Sequence, residues 1–182
     1  MRTFFVFAWE IFKIFVVSLA IIIPIRYFLI QPFFVQGASM EPNYEDGQYL
    51  IIDEITYRFR EPERGEVIVF KYPQNPSEFF IKRIIGLPGE TLKISGSQII
   101  IENESNPDGF ILDESSYLKN IPNMGQETLI LKNDEYFVLG DNRSASFDSR
   151  RWGALPKRDI IGKVWIKAWP ISQAGIAEAP DY

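Results

Sequence analysis

The chain has 182 residues, 46% hydrophobic and 15% aromatic, a net charge of −5, and neither His nor Cys. That length suits one sizeable domain plus an extra segment, and the acidic balance, with no Lys/Arg run longer than two, argues against a nucleic-acid partner. The missing residue types exclude Ser-His-Asp triads, Cys nucleophiles and His- or thiolate-ligated zinc, so a hydrolase with a covalent mechanism would need Lys or a carboxylate as its base.

From Phe4 to Val35 the chain is almost continuously apolar, interrupted by Glu10, Lys13, Pro24, Arg26 and Gln31. As a helix, the stretch from Ile11 to Ile30 is about one bilayer thick. It predicts one transmembrane helix over 11–29, after a short cytoplasmic N-terminus over 1–10 and ahead of an extracytoplasmic β-rich domain over 30–182. Lys13 and Arg26 can snorkel, Glu10 can pair with Lys13, and Pro24 can kink the last turns. A cleaved signal peptide is the competing reading. It fits poorly, because no basic segment precedes a short apolar core and Gln36-Gly37-Ala38 is a weak cleavage site.

Gln31 to Gln36 reads as a strand leaving the bilayer, with Phe33 and Phe34 at the height of the membrane interface. Gly37 then permits an unusual backbone angle and Pro42 ends regular structure, which sets Ser39 on a tight turn. Most turn serines only bond the backbone, so Ser39 is at this point either that or a nucleophile.

Beyond Gln48 the pattern is β. Apolar runs fall at 49–52, 67–72, 79–85, 92–94, 99–101, 129–131, 136–139 and 160–169, between clusters of Gly, Pro, Asn and Asp. Ser95-Gly96-Ser97 predicts a hairpin turn. Residues 103–127, rich in Asn, Glu, Ser and Pro, read as a solvated insertion without chemistry, inside a variable region around 91–135. No helix of ordinary length is predicted after residue 42.

Phe79 to Glu90 sets one lysine in an apolar run. In a strand Phe80, Lys82 and Ile84 share a face, opposite Ile81, Arg83 and Ile85. Lys82 either snorkels to water or is buried between two large hydrophobes, where burial disfavours its charged form and makes it a general base. Gly140 to Arg150 packs two acids, two arginines, three serines and an Asn into eleven residues. If extended, it places Ser146, Asp148 and Arg150 on one side; otherwise it is a solvated polar loop.

Four stretches together, Ser39-Met40-Glu41-Pro42, Arg64 to Phe70, Phe80 to Glu90 and Gly140 to Arg150, resemble the bacterial type I signal peptidases in order and spacing, behind an anchor like that of the family's single-helix members. The resemblance covers most of the chain outside 91–135 and the last dozen residues. It implies a mainly β, antiparallel catalytic domain preceded by one N-terminal transmembrane helix, in the bacterial cytoplasmic membrane with the domain outside. It implies Ser39 as nucleophile, Lys82 as general base and Ser146 as the serine that orients the lysine. Asp148 and Arg150 match a structural ion pair, Asp141, Asn142 and Arg143 shape the same loop, and Arg83 is expected to pair with Asp141. Gly37, Ala38, Met40, Pro42, Phe80 and Ile81 match the oxyanion and substrate-binding region.

The implied partners are preproteins bearing signal peptides, cut after Ala-x-Ala-like sites, and the lipid bilayer; no metal or cofactor is called for. Two departures stand out. Asn43 replaces the family's usual Thr, and Gly37 stands where some members carry an oxyanion-binding serine, which leaves the Ser39 N–H as donor. Two rival readings are a self-cleaving protease like the SOS repressors, and a non-enzymatic, membrane-tethered β module that binds exported chains.

Overall fold

The computed structural model describes residues 2–28, 30–180 and 182, and the side chains of 6–23, 31–180 and 182. Helix α1 runs from Arg2 to Phe28, and its most apolar window is Val6–Ile23, 18 residues with a mean hydropathy of 2.3. It begins well before the predicted residue 11. Glu10 and Lys13 bond to each other at 2.7 Å and therefore do not interrupt it. Every described side chain of α1 is exposed, so the domain does not cover its apolar surface. The side chains of Pro24 and Arg26, on which a kink and snorkelling were expected, lie outside the described residues.

The regular structure of the rest of the described chain is mainly antiparallel sheet. Strands β1 (Ile30–Phe34), β2 (Tyr49–Asp53), β3 (Val67–Tyr72) and β4 (Asn75–Gly86) precede β5 (Thr91–Ser95), β6 (Gln98–Asn103), β7 (Asn106–Ile111) and β8 (Gln126–Ile130). After these come β9 (Glu135–Leu139), the one-turn helix α2 (Ser149–Trp152), β10 (Leu155–Pro156), β11 (Ile160–Trp169) and β12 (Gly175–Ile176). The larger sheet has the order β1-β2-β11-β3-β4-β9-β10, with β12 paired to β11; the smaller is β7-β6-β5-β8. Residues 91–130 thus form a sheet of their own.

Alternation in β3 explains why the larger sheet is covered on both faces. Val67 and Val69 enter one core cluster with Val35, Met40, Leu50 and Ile52, while Ile68 and Phe70 enter another with Ile84, Tyr136 and Val138. A third cluster joins Ile85 and Phe137 to the smaller sheet through Leu92, Ile94, Ile99 and Ile101. At Gly86 a Cβ would collide with Leu92, so the β4 exit needs glycine to let the two sheets close.

The Asn103–Asn106 turn and the largely exposed β7 give the solvated insertion expected over 103–127 a strand of its own. The Asn106-Pro107-Asp108-Gly109 run reads as a turn, yet β7 is an edge strand bonded only to β6, where a proline removes no needed ladder bond. Gly96 has φ +63°, and Ser95 pairs with Gln98 across the two-residue hairpin turn.

Candidate active site

Ser39 sits in the turn between β1 and β2. Gly37 adopts φ +86°, a conformation that favours glycine, and its amide donates to Asp46 Oδ1 at 2.7 Å. Met40 is fully buried and Tyr44 N donates to its carbonyl at 2.9 Å, which anchors the far side of the turn in the core. The Ser39 carbonyl accepts from Asn142 N at 3.0 Å, and the Ala38 carbonyl from Asn142 Nδ2 at 3.0 Å. Both carbonyls therefore face the 140–150 loop. The Gly37 amide is committed to Asp46, whereas the Ser39 amide donates to no protein acceptor among the described residues.

β4 carries Lys82 to this turn. Its side chain is buried and Nζ donates to Ser39 Oγ at 2.8 Å and to its neighbour's carbonyl, Ile81 O, at 2.8 Å. The ammonium lies 5.5 Å from the centre of the Phe80 ring. Burial pulls the Lys82 amine down from its ordinary value to about 8, against the opposing fields of Asp148 and Asp141. A serine hydroxyl and an amine that loses its proton near pH 8, in hydrogen-bond contact, can exchange a proton, and the serine can then act as a nucleophile.

The 140–150 loop supplies the surroundings. It is folded into turns, with Arg143 N donating to Asp141 O and Ala145 N to Asn142 O, each at 3.0 Å. This replaces the extended arrangement considered from sequence. Asp148 has no exposed surface; it caps α2, accepts from Gly140 N at 3.0 Å, and pairs with Arg150 Nε at 2.8 Å. Asp141 receives Arg83 through two bonds, Nε at 2.8 Å and NH2 at 2.7 Å, and also Asn43 Nδ2 at 2.8 Å. Arg143 pairs with Glu114, both buried, and its Nε donates to Gly140 O at 3.0 Å. At Gly140 a Cβ would collide with Ser39 O and Ser146 Oγ, so glycine lets the loop close on the Ser39 turn.

Three sequence expectations change. Ser146 Oγ is buried but bonds no described group, so its expected bond to Lys82 is absent; the turned loop seats it over Gly140. Met40 belongs to the core and Pro42 is exposed, and neither is among the residues that line the cleft beside Ser39. The 103–127 segment is not chemically inert: Glu114 neutralises Arg143, and the Tyr117 carbonyl accepts from Asn43 Nδ2 at 3.0 Å. The spacing of Glu114 and Tyr117, one turn apart in a polar stretch, was the only sequence signal for them.

The cleft, about 770 Å³, runs between β1 and the outer half of β4 and is lined by Phe33, Phe34, Ala38, Ser39, Phe79 and Lys82 among others, including Phe80 and Ile81. On this side β4 is unpaired from Asn75 to Lys82, since β9 pairs only from Arg83 onward. Both walls thus offer free strand edges. Among the described residues no group of three or more Asp or Glu side chains is placed to hold a metal.

Comparison with known proteins places this geometry in a family. The model for signal peptidase, peptidase S26, matches residues 8–169. A probable signal peptidase I-2 of Synechocystis is 36% identical over 172 residues, 92% of this chain and 76% of that protein. Signal peptidase I of Leptolyngbya laminosa is 36% identical over 174 residues, 91% and 82% of the two chains. A crystal structure of a signal peptidase I from Enterococcus faecalis aligns with 58% of this chain and 97% of its own at 30% identity, with a TM-score of 0.48. With nearly all of the β region and most of the helix inside the matched range, the chain belongs to the signal peptidase family, peptidase S26.

Proposed function

We propose that this peptidase is a membrane-bound serine endopeptidase that removes signal peptides from exported preproteins, with Ser39 as nucleophile and Lys82 as general base. The 2.8 Å contact between a buried Lys82 Nζ and Ser39 Oγ carries this reading. Neutral Lys82 takes the Ser39 proton as Oγ attacks the carbonyl carbon at the cleavage site. The resulting ammonium returns that proton to the departing amine, and the mature chain leaves an acyl group on Ser39. Lys82, neutral again, activates a water that breaks the ester. The free Ser39 amide is the donor for the oxyanion.

The substrate lies extended between the β1 and β4 edges, adding main-chain hydrogen bonds, with small residues at −1 and −3 facing the cleft. The apolar α1 holds the enzyme in the bacterial cytoplasmic membrane in a single pass, with the β domain outside. Phe34 and Phe79, both about half exposed at the cleft mouth, would meet the bilayer where a signal peptide ends. A preprotein with an Ala-x-Ala site, incubated with the full chain in detergent, should be cut to its mature size, and Ser39→Ala and Lys82→Ala should leave it intact. Cutting by Lys82→Ala at the wild-type rate would remove Lys82 from the mechanism, and an inert wild type would favour the binding module.

A further inference from the structure

Below the Ser39 turn, away from the cleft, two buried arginines flank one tyrosine. The Arg83 guanidinium lies 4.2 Å from the centre of the Tyr117 ring and donates through NH1 to Gly65 O at 2.8 Å, while its other bonds go to Asp141. Tyr117 OH donates to Glu114 Oε1 at 2.6 Å, the carboxylate that pairs with Arg143. The last residues of the sequence close over this arrangement. Tyr182 OH donates to Tyr117 OH at 2.9 Å, with the rings edge to face at 6.4 Å. Pro180 and Tyr182 fill the space a Gly65 side chain would occupy: a Cβ there would lie 2.8 Å from Tyr182 Cε2 and 2.9 Å from Pro180 Cδ. Gly65 has φ +85°, so backbone geometry and the tail both require glycine.

We propose that Tyr117 and Tyr182 form a clasp that holds Arg83 against Asp141, making Tyr117 a positioning residue for the Ser39–Lys82 pair and the C-terminal residues the part that closes it. This rests on the function proposed above. The clasp reaches the reacting groups through three links. Asn43 Nδ2, four residues after Ser39, donates to both the Tyr117 carbonyl and Asp141. The Asp141 loop holds the Ser39 carbonyl through Asn142 N. Asp141 also acts on Lys82 by its charge, which favours the ammonium, and Arg83 binds the same carboxylate.

The charged and titratable groups around Arg83 come from every packed element. They are Asp141 and Arg143 from the loop, Glu114 beside Tyr117, Tyr44 after the Ser39 turn, and Lys167 from β11. Lys167 Nζ donates to Asn43 O at 2.7 Å and sits 4.4 Å from the Tyr44 ring centre, so it braces the same turn. Asp148, the other acid acting on Lys82, is held by Arg150 and lies outside the clasp.

Opening the clasp leaves Asp141 less neutralised, and the Lys82 ammonium is then favoured up to higher pH. The test is the titration of Lys82 in the full chain in detergent micelles, labelled with carbon-13 lysine and assigned with Lys82→Arg, for wild type, Tyr117→Leu, Tyr117→Phe and Tyr182→Ala. Wild type should titrate near 8. Tyr117→Leu and Tyr182→Ala should titrate at higher pH, and their cleavage of a preprotein at pH 7 should fall about three- to tenfold and recover at high pH. Tyr117→Phe, which keeps the ring over Arg83, should move less than Tyr117→Leu.

A residue with only a structural role would lower the melting temperature or the rate at every pH and leave the titration in place. That result in Tyr117→Leu and Tyr182→Ala overturns the clasp. Should Tyr117→Leu not fold, Tyr182→Ala decides alone. The titration needs no turnover, so an inactive wild type would refute the Ser–Lys mechanism and still leave the clasp judged by its own measurement.

Discussion

Lys82 and Arg83 are neighbours on one strand, and both are buried, with 4% and 3% of their surface exposed, yet the protein treats their charges in opposite ways. Arg83 meets a carboxylate through two bonds. Burial works against its charge, but the bonds and field of Asp141 more than offset that, and the guanidinium is held above its ordinary value. Lys82 meets a hydroxyl and a carbonyl, neither of them charged. Its desolvation is only partly offset by the fields of Asp148 and Asp141, and its amine falls to about 8. Strand alternation separates the two fates by sending adjacent side chains to opposite faces. A cation buried with a counter-ion stays charged; one buried beside a hydroxyl can give up its proton and serve as a base.

The strongest way to break this contrast is to make position 82 like position 83. Lys82→Arg keeps the charge and the hydrogen bonding but cannot lose its proton near neutrality. Preprotein cleavage should fall by about 10³-fold or more while the variant still folds, as circular dichroism and thermal unfolding would report. Retained activity would mean that Lys82 contributes only as a positive charge.

Removing the partner of Arg83 comes next. Asp141→Asn leaves a guanidinium buried without a counter-ion and weakens the bond from Asn43, and should cost about 3–5 kcal/mol in denaturant unfolding of the full chain. A cost no larger than that of an exposed surface ion pair, about 0–1 kcal/mol, would show that Arg83 reaches water when Asp141 is gone.

How far this was legible in the sequence follows from the range of each interaction. The β3 run came through with its bounds, 67–72, because period-two burial is written locally, and Lys82 announced itself as a charge in an apolar strand. The outer half of β4, from Asn75 to Glu78, did not, since it is exposed edge whose polar side chains carry no apolar pattern. β7 was hidden by Asn-Pro-Asp-Gly, a turn signal that an edge strand tolerates. Glu114, Tyr117 and Tyr182 were hidden for another reason: their partners lie far along the chain and only the closed fold brings them under the site. The Ser146 role came from resemblance; its hydroxyl is buried beside Gly140 with no hydrogen-bond partner among the described residues.

The smallest effect separates holding the Ser39 turn from holding the charge. Asn142→Ala removes the Nδ2 bond to Ala38 O but keeps the backbone bond to Ser39 O and leaves the Arg83–Asp141 pair intact. It should cost about 1 kcal/mol in unfolding. A loss as large as that for Asp141→Asn would mean that the loop cannot keep its shape without that side chain.

The central claim, that an unpaired buried lysine is the base, is tested most directly by the pH dependence of kcat/KM for preprotein cleavage. Only the neutral amine accepts the Ser39 proton, and the Lys82 pKa is lowered, so the rate should rise with pH through a midpoint near 8. At pH 7 about one enzyme in ten would then hold a neutral Lys82, against about one in three thousand for an unshifted lysine. A profile flat between pH 6 and 9, or still climbing steeply toward the ordinary lysine range, would contradict the account.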